Sequence, residues 1–567
     1  MKNLYLLIFS FFFASTAFAQ VSYDETNFRP PLNIPLVLAG NFAELRSNHF
    51  HTGLDIKTNH KQGYRIYAID SGFVSRINIS HWGYGKAIYV THPNGYTSVY
   101  AHLRNFPEKV EAFLRKKQFE QETETLDIQL SSTDLVVNKG EVIAYSGNSG
   151  SSSAPHLHFE IRETVSENPI NPLLFNFEIK DNIKPSIFNL KVYPIQGALN
   201  NGTSPKVFPT IGTNGNYTLK NNPIIKVNGK IGFGIHTIDR LNAANNKCGI
   251  YTIELTVDAN TVFKQTMEKI DFSTNRYINA HKDYYEYHKK RRSFHKSFVT
   301  ENNELLIYSK LVNNGYIYFD DNKIHHLKYT VKDTYGNTSY LKFKVSSTTT
   351  SLPFQPNNTN AQPLSNFELT KNDFTVKMEE KTFYEATSVH YSKEKTLNSS
   401  APLHRFGNSE IPLQKYFVMR IKTQGISKNQ TNKAVIVKIS DNKKRSRAKG
   451  GIYKDGWVET KVRDFGNYTV KVDSIAPVIT PINISNGKNI SNQNSIQFKI
   501  TDNLSGIKSY KIYIDKKFML ANYTPRKSTL TLTFDKYNKI KKGQHFLKII
   551  VSDERGNRTV KSFNFTK

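Results

Sequence analysis

Three short segments of this sequence can do chemistry: His51-Thr-Gly-Leu-Asp55, Tyr100-Ala-His102-Leu, and Ala154-Pro-His156-Leu-His158-Phe-Glu160. In a strand, residues i and i+2 project from one face, so His156 and His158 point into one volume while Leu157 and Phe159 face a core. Two adjacent imidazoles are poor core residues, because every buried ring nitrogen needs a partner. Gly53 lets the backbone fold closely, so His51 and Asp55 reach a common point. Two His and one Asp with a fourth position open to water suit Zn²⁺, in the catalytic rather than the structural form of site. Alone, a His-x-x-x-Asp is ordinary structural material, and a His-x-His only somewhat less so. Together and in this order, with His102 on a strand between them, they point to a metal. Cys248 is the single cysteine, which excludes an intramolecular disulfide framework and any multi-Cys zinc or iron–sulfur site.

The elements that must hold these residues are strands. Ala87-Ile88-Tyr89-Val90 and Thr97-Ser98-Val99-Tyr100 read as short strands, and a charged segment near 108–131 interrupts them with helical character. Beyond about Phe177 the pattern becomes alternating strands divided by Asn, Gly and Asp turns. The Ser/Thr/Pro-rich stretch 346–363 has the composition of a linker. Asp333-Thr-Tyr-Gly336-Asn337, Asp464-Phe-Gly466-Asn467 and Asp553-Glu-Arg-Gly556-Asn557 repeat near the ends of strand-rich stretches. An Asp-x-Ile-x-Pro-x-Ile phrase occurs at Asp181–Ile187 and again at Asp473–Ile479. These repeats suit the first edge strand and final hairpin of β-sandwich modules. The expected map is a signal peptide at 1–19, an N-terminal unit at 20–178, and β-sandwich-like units at 179–345, 364–472 and 473–567. The last resembles bacterial immunoglobulin-like domains.

The 567 residues exceed one hydrophobic core, and 12% aromatics supply apolar material for several. A net charge of +30 favours a polyanionic partner or a solvated basic surface. Lys2, the apolar run from Leu4 to Phe13 and Ala17-Phe18-Ala19 have the form of an export signal, and no later stretch is apolar enough to span a membrane. Export, to the periplasm, the cell envelope or beyond, removes nucleic acid as the anionic partner and leaves an envelope polymer.

The histidine segments, together with Lys139-Gly-Glu-Val-Ile-Ala-Tyr-Ser-Gly147-Asn-Ser-Gly150 and Pro155-His-Leu-His-Phe-Glu-Ile-Arg162, resemble the M23 (lysostaphin/LytM-type) zinc metallopeptidases. Tyr67–Gly72 and Gly85–Val90 match as well, so the resemblance covers roughly Asn41 to Pro172. It implies a mainly β protein: an antiparallel β metallopeptidase domain, followed by two or three β-sandwich (Ig-like) domains. It also implies one zinc per chain held by His51, Asp55 and His158, with His156 as general base. His102 would orient the substrate or stabilise the developing oxyanion. The implied substrate is peptidoglycan stem or cross-bridge peptide, with the sandwiches available to envelope protein partners. The charged insertion departs from the short family form and is in a position to line or cover the groove.

Two rival functions use the same residues: a non-catalytic wall-binding or regulatory protein, and a peptidase for extracellular proteins. The full set of site residues argues against the first. Tyr84 and Asn148 are further groove candidates, and Glu160 and Arg162 continue the face of His158 as hydrogen-bonding or ion-pairing partners. His49 has the wrong spacing to Asp55, and His60, His81 and His92 sit in loop-like contexts that suit solvated side chains. His281, His288 and His295, spaced by seven among Tyr and basic residues, read as an exposed amphipathic helix rather than a metal or polyanion patch.

Overall fold

The computed structural model describes residues 23, 26–200, 202–349, 359–395 and 399–567; the expected signal at 1–19 lies outside them. The chain is mainly β, a nine-stranded N-terminal sheet followed by several β-sheet domains. Among the described residues no helix is long and apolar enough to cross a membrane.

The N-terminal unit is built from β1 (Leu38–Gly40), β2 (Leu54–Lys57), β3 (Arg65–Tyr67), β4 (Gly72–Ile79), β5 (Lys86–Thr91), β6 (Tyr96–Ala101), α1 (Glu108–Glu120), β7 (Leu126–Gln129), β8 (Val136–Val137), β9 (Val142–Tyr145), β10 (His156–Glu163) and β11 (Pro169–Ile170). Its main sheet runs β1-β2-β10-β6-β5-β4-β7, with β11 beside β10 and β8 beside β4, while β3 pairs β9 separately. Central β10 is antiparallel to both neighbours. Leu157, Phe159 and Ile161 join Leu54, Ile56, Ile88 and Tyr100 in the core, leaving His156, His158, Glu160 and Arg162 on the other face.

Within the expected insertion, α1 buries Val110, Leu114 and Gln118, one face at a spacing of four. It packs on the core, and no residue of 108–131 lines the groove described below. The helix and the turn after it also meet the last β-domain. Tyr513 Oη and Lys511 Nζ donate to Glu122 at 2.9 and 2.6 Å, and Tyr510 Oη donates to Glu124.

Beyond it, an 11-stranded sheet occupies residues 186–347 around Phe233, Tyr329 and Phe343. Two five-stranded sheets follow between 367 and 472 around Phe374, Met419 and Tyr468. A four-stranded and a five-stranded sheet then enclose Phe498, Leu530 and Ile549. The linker is shorter than its composition suggests. Ser346 and Ser347 finish the strand Thr338–Ser347, Ala361 already bridges Thr387, and positions 350–358 lie outside the described residues.

The segment 281–295 departs from the expected exposed helix. It forms two short helices, Ile278–His281 and Tyr284–Lys290, then a strand, Phe294–Lys296. The break falls at Lys282, which is extended, and Asp283 caps the second helix by accepting from Glu286 N at 3.0 Å. His281 and His295 are buried, with His281 Nε2 3.1 Å from His295 Nδ1.

Candidate metal centre

The register of β10 brings the distant segments together. His158 lies opposite Asp55 of β2 on one side and Ala101 of β6 on the other, so His102 leaves β6 beside β10. Gly53 is needed for close approach: a Cβ there would sit 2.3 Å from the Phe159 carbonyl oxygen. Gly85 and Gly150 also meet closely, each with positive φ, and a Cβ on either would lie 2.4 Å from the other's nitrogen.

His51 Nε2, Asp55 Oδ1 and His158 Nδ1 converge, with separations of 3.0 Å (His51–Asp55), 3.1 Å (His51–His158) and 2.9 Å (His158–Asp55). Hydrogen bonds on the far side of each ring fix which nitrogen faces this point. His51 Nδ1 donates to the Asn41 carbonyl at 2.7 Å, and His158 Nε2 donates to Glu160 Oε1 at 2.8 Å. In the neutral rings three lone-pair donors therefore face one point with no proton between them. That donor set of two imidazoles and a carboxylate fits a metal cation. Without an ion a proton takes its place: burial opposes charge on His158, yet Asp55 and Glu160 hold it up at about 9. Burial would raise Asp55, but the three surrounding histidines keep it well below the usual carboxylate range.

Glu160, at 0% exposure, organises the layer behind the triad. It accepts from His158, from Thr52 Oγ1 at 2.6 Å, from Tyr84 Oη at 2.5 Å and from Arg162 Nε at 2.7 Å. Tyr84 also stacks on His158, with ring centroids 5.2 Å apart. Glu160 and Arg162 thus form an ion pair and a support for His158 at once.

His156 and His102 stand beside the triad with ring centroids 4.8 Å apart. His156 Nδ1 donates to the Ala154 carbonyl at 2.8 Å, leaving Nε2 3.4 Å from Asp55 Oδ1. His102 Nδ1 donates to the Ser149 carbonyl at 3.0 Å. Burial, then the neighbouring His158 and His156, push His102 down to about 3, so the ring is neutral and presents an unprotonated Nε2.

All five residues expected at the site are brought together, and Tyr84 joins them. Asn148 does not line the groove. His49 and His60 line it without reaching the triad. His92 is buried, bonded to the Ser71 carbonyl at 2.9 Å and Ser98 Oγ at 2.8 Å, and His81 packs against Glu124 and Tyr510. Neither is the solvated loop side chain its context suggested.

The support for His51 comes from farther along the chain. Lys282, at 0% exposure, donates to the Arg46 and Ser47 carbonyls at 2.7 and 2.6 Å. Tyr287 Oη donates to the Leu45 carbonyl at 3.0 Å, and the Phe50 amide donates to Asn275 Oδ1 at 2.7 Å. Arg46 in turn holds Asp55 Oδ2 at 3.0 Å. No local sequence signal marks Asn275, Lys282 and Tyr287, because each acts on backbone groups more than 200 positions away. The groove over the triad encloses about 1160 Å³, and its far wall is Phe272, Arg276 and Arg463 of the following domains.

The family model of peptidase family M23 matches residues 49–119 and 123–172, and that of the Zu5-like domain matches 360–473. The chain is 30% identical over 129 residues to DD-carboxypeptidase/endopeptidase Mpg of Neisseria meningitidis serogroup B, covering 23% of each protein. It is 29% identical over 123 residues to an uncharacterized metalloprotease of Haemophilus influenzae, covering 22% of this chain and 20% of that one. The chain thus spans about a quarter or less of the length of these curated relatives. Among solved structures, the catalytic domain of the antimicrobial peptidase lysostaphin from Staphylococcus simulans is 22% identical, with 24% of this chain and 86% of that chain covered and a TM-score of 0.18. The matched segment contains His51, Asp55, His102, His156 and His158, and over it the chain is similar to peptidase family M23.

Proposed function

We propose that this protein is an exported zinc endopeptidase that cuts peptidoglycan stem or cross-bridge peptides, with residues 20–178 as the catalytic unit. The observation that carries the reading is the convergence of His51 Nε2, Asp55 Oδ1 and His158 Nδ1, each ring oriented by a hydrogen bond behind it. These three residues would hold zinc, which when bound polarises the scissile carbonyl and lowers the pKa of water to about 7.

His156 is the general base. Its Nδ1 proton is committed to the Ala154 carbonyl, so Nε2 is the atom that takes a proton from the incoming water. Asp55 Oδ1, 3.4 Å from Nε2, stabilises the imidazolium so formed, which then returns the proton to the departing amine. His102 orients the water or the substrate by accepting at Nε2. Donation to an oxyanion would require a second ring proton, which its low pKa opposes.

The groove wall supports an acidic peptide as substrate. Arg276 and Arg463 form no ion pair among the described residues; Arg276 bonds only the Leu413 carbonyl, and Arg463 lies over the Tyr416 ring at 4.3 Å. Stem peptides carry free carboxylates that these guanidinium groups would receive. The name of the Neisseria relative, a DD-carboxypeptidase/endopeptidase, points to the same class of bond. The test is digestion of purified sacculi by the zinc-loaded protein, with released muropeptides identified by mass. Release of cross-link fragments is expected; intact sacculi beside cleavage of an unrelated protein substrate would move the reading to extracellular proteolysis.

A further inference from the structure

Two groups of carboxylates outside the peptidase sheet are built on one sequence skeleton. The first is Asp181, Asp239 and Asp333, and the second is Asp473, Asp502 and Asp553. Asp181 and Asp473 open the two Asp-x-Ile-x-Pro-x-Ile phrases, in the chain leading into a β-domain. Asp239 and Asp502 directly follow the strands Ile224–Ile238 and Ser495–Thr501. Asp333 and Asp553 open the hairpins Asp-x-x-Gly-Asn. In each group one carboxylate oxygen per residue lies within 4.8 Å of the other two.

The hydrogen bonding is duplicated too. Asp333 accepts from the Tyr335 and Asn337 amides at 2.9 and 2.8 Å, and Asp553 from the Arg555 and Asn557 amides at 2.8 Å each. Asn337 Nδ2 then reaches the Asp181 carbonyl at 3.3 Å, as Asn557 Nδ2 reaches that of Asp473 at 2.8 Å. What remains in each group is a pair of unused oxygens. Asp239, 2% exposed, has no partner for Oδ1, and neither has Asp181 for Oδ2; Asp473, 1% exposed, has none for Oδ1, and neither has Asp502 for Oδ1. Among the described residues no Lys, Arg or His forms an ion pair with any of the six.

We propose that each triad is a calcium site that fastens the chain leading into a β-domain to a strand end and a hairpin of that domain. Two buried carboxylates and a half-buried third this close repel one another, and a buried carboxylate oxygen without a partner is costly, so the arrangement favours a positive charge. Oxygens coordinated to one Ca²⁺ at about 2.3–2.6 Å lie within about 5 Å of each other, as these do. An all-oxygen donor set selects a hard cation, in contrast to the imidazole-rich triad of the peptidase sheet. The flexible coordination shell of Ca²⁺ accepts such an irregular donor set more readily than the strict octahedron of Mg²⁺. Without a cation, burial followed by the neighbouring carboxylates raises Asp239 to about 8, and burial raises Asp181 to about 6.

The test uses the full chain, dialysed into calcium-free buffer containing zinc and titrated with CaCl₂ by calorimetry and thermal unfolding. One calcium per triad is expected, with a higher melting temperature. Asp239→Asn should remove one equivalent and Asp502→Asn the other, with zinc content unchanged. Should a variant fail to fold, hydrogen exchange on the wild type decides: calcium should slow exchange at the Ile183, Leu504 and Gly506 amides, which bond these aspartates. No binding and no melting shift at about 10 mM calcium, well above the range of weak extracellular sites, would overturn the proposal. So would uptake that persists undiminished in both variants, or exchange at those three amides that calcium leaves unchanged.

Discussion

Two buried histidine clusters lie close together in this chain, joined by Phe50, whose ring is 5.8 Å from that of His281. His51 and His158 sit among carboxylates, Asp55 between them and Glu160 behind. His281 and His295 bond each other, His281 also bonds Tyr308, and the charged side chains around His281 are the cations Lys296 and Lys282. The consequence is opposite in sign. His158 is held up at about 9, whereas burial and like charge push His281 well down, and burial with His236 pushes His295 down to about 3. One cluster attracts a cation and the other excludes one. Histidine count and spacing do not make a metal site; the carboxylates supplied beside the rings do.

The sharpest way to break this comparison is to count zinc. His51→Ala or Asp55→Ala should lower zinc affinity by more than about 100-fold, beyond what loss of an outer partner costs, and abolish peptide cleavage. His295→Asn should leave the zinc content at wild-type level in the protein that folds. Zinc measured by elemental analysis across the variants decides it, and equal loss in His295→Asn would erase the distinction between the clusters.

Within the metal cluster, base and ligand separate next. His156→Ala should retain zinc while kcat falls by roughly 10²–10⁴-fold, the usual share of general acid–base catalysis. His158→Ala should lose both. Wild-type turnover by zinc-loaded His156→Ala would rule out His156 as the base.

A smaller effect is expected one layer out. Glu160→Gln keeps the shape but removes the charge that orients His158, and should weaken zinc about 10–100-fold. A competition titration against a chelator measures this; unchanged affinity would mean that Thr52, Tyr84 and Arg162 alone fix the ring.

The two clusters also differ in how far the sequence reveals them. His156 and His158 announce themselves because strand periodicity forces them onto one face, and Asp55 because β2 pairs with β10 in a register the hydrophobic pattern sets. The mainly β fold follows from the same alternation. The segment 281–295 misleads because seven-residue spacing is also helical spacing, and the extended conformation at Lys282 leaves no mark in periodicity. Its clamp on the Arg46 and Ser47 carbonyls is equally hidden, since any chain presents carbonyls. Long-range backbone contacts carry no residue-type signal, whereas alternation and short motifs do.

The last expectation is the dependence of stability on pH in the metal-free protein, where the clusters should shape opposite limbs of one curve. His295 and His281 have folded pKa values below the ordinary 6.5, so below pH 6.5 the unfolded chain binds protons that the folded chain refuses. Their contribution is present in full above pH 6.5 and is lost as pH falls, for His295 toward about 3, at up to about 1.4 kcal/mol per pH unit for each histidine. His158 has the reverse sign. Its folded pKa of about 9 lies above the unfolded value, so its contribution is complete below pH 6.5 and disappears as pH rises through 9. Zinc inverts only the upper limb, because ligation requires the unprotonated ring and tightens as pH rises. Denaturant titrations from pH 4 to 9.5, with and without zinc, measure both limbs. His295→Asn should flatten the acid limb alone, and His158→Asn the alkaline limb of the metal-free protein alone. An acid limb unaltered in His295→Asn would show that this cluster takes up protons in the folded state, and the electrostatic contrast between the two regions would fail.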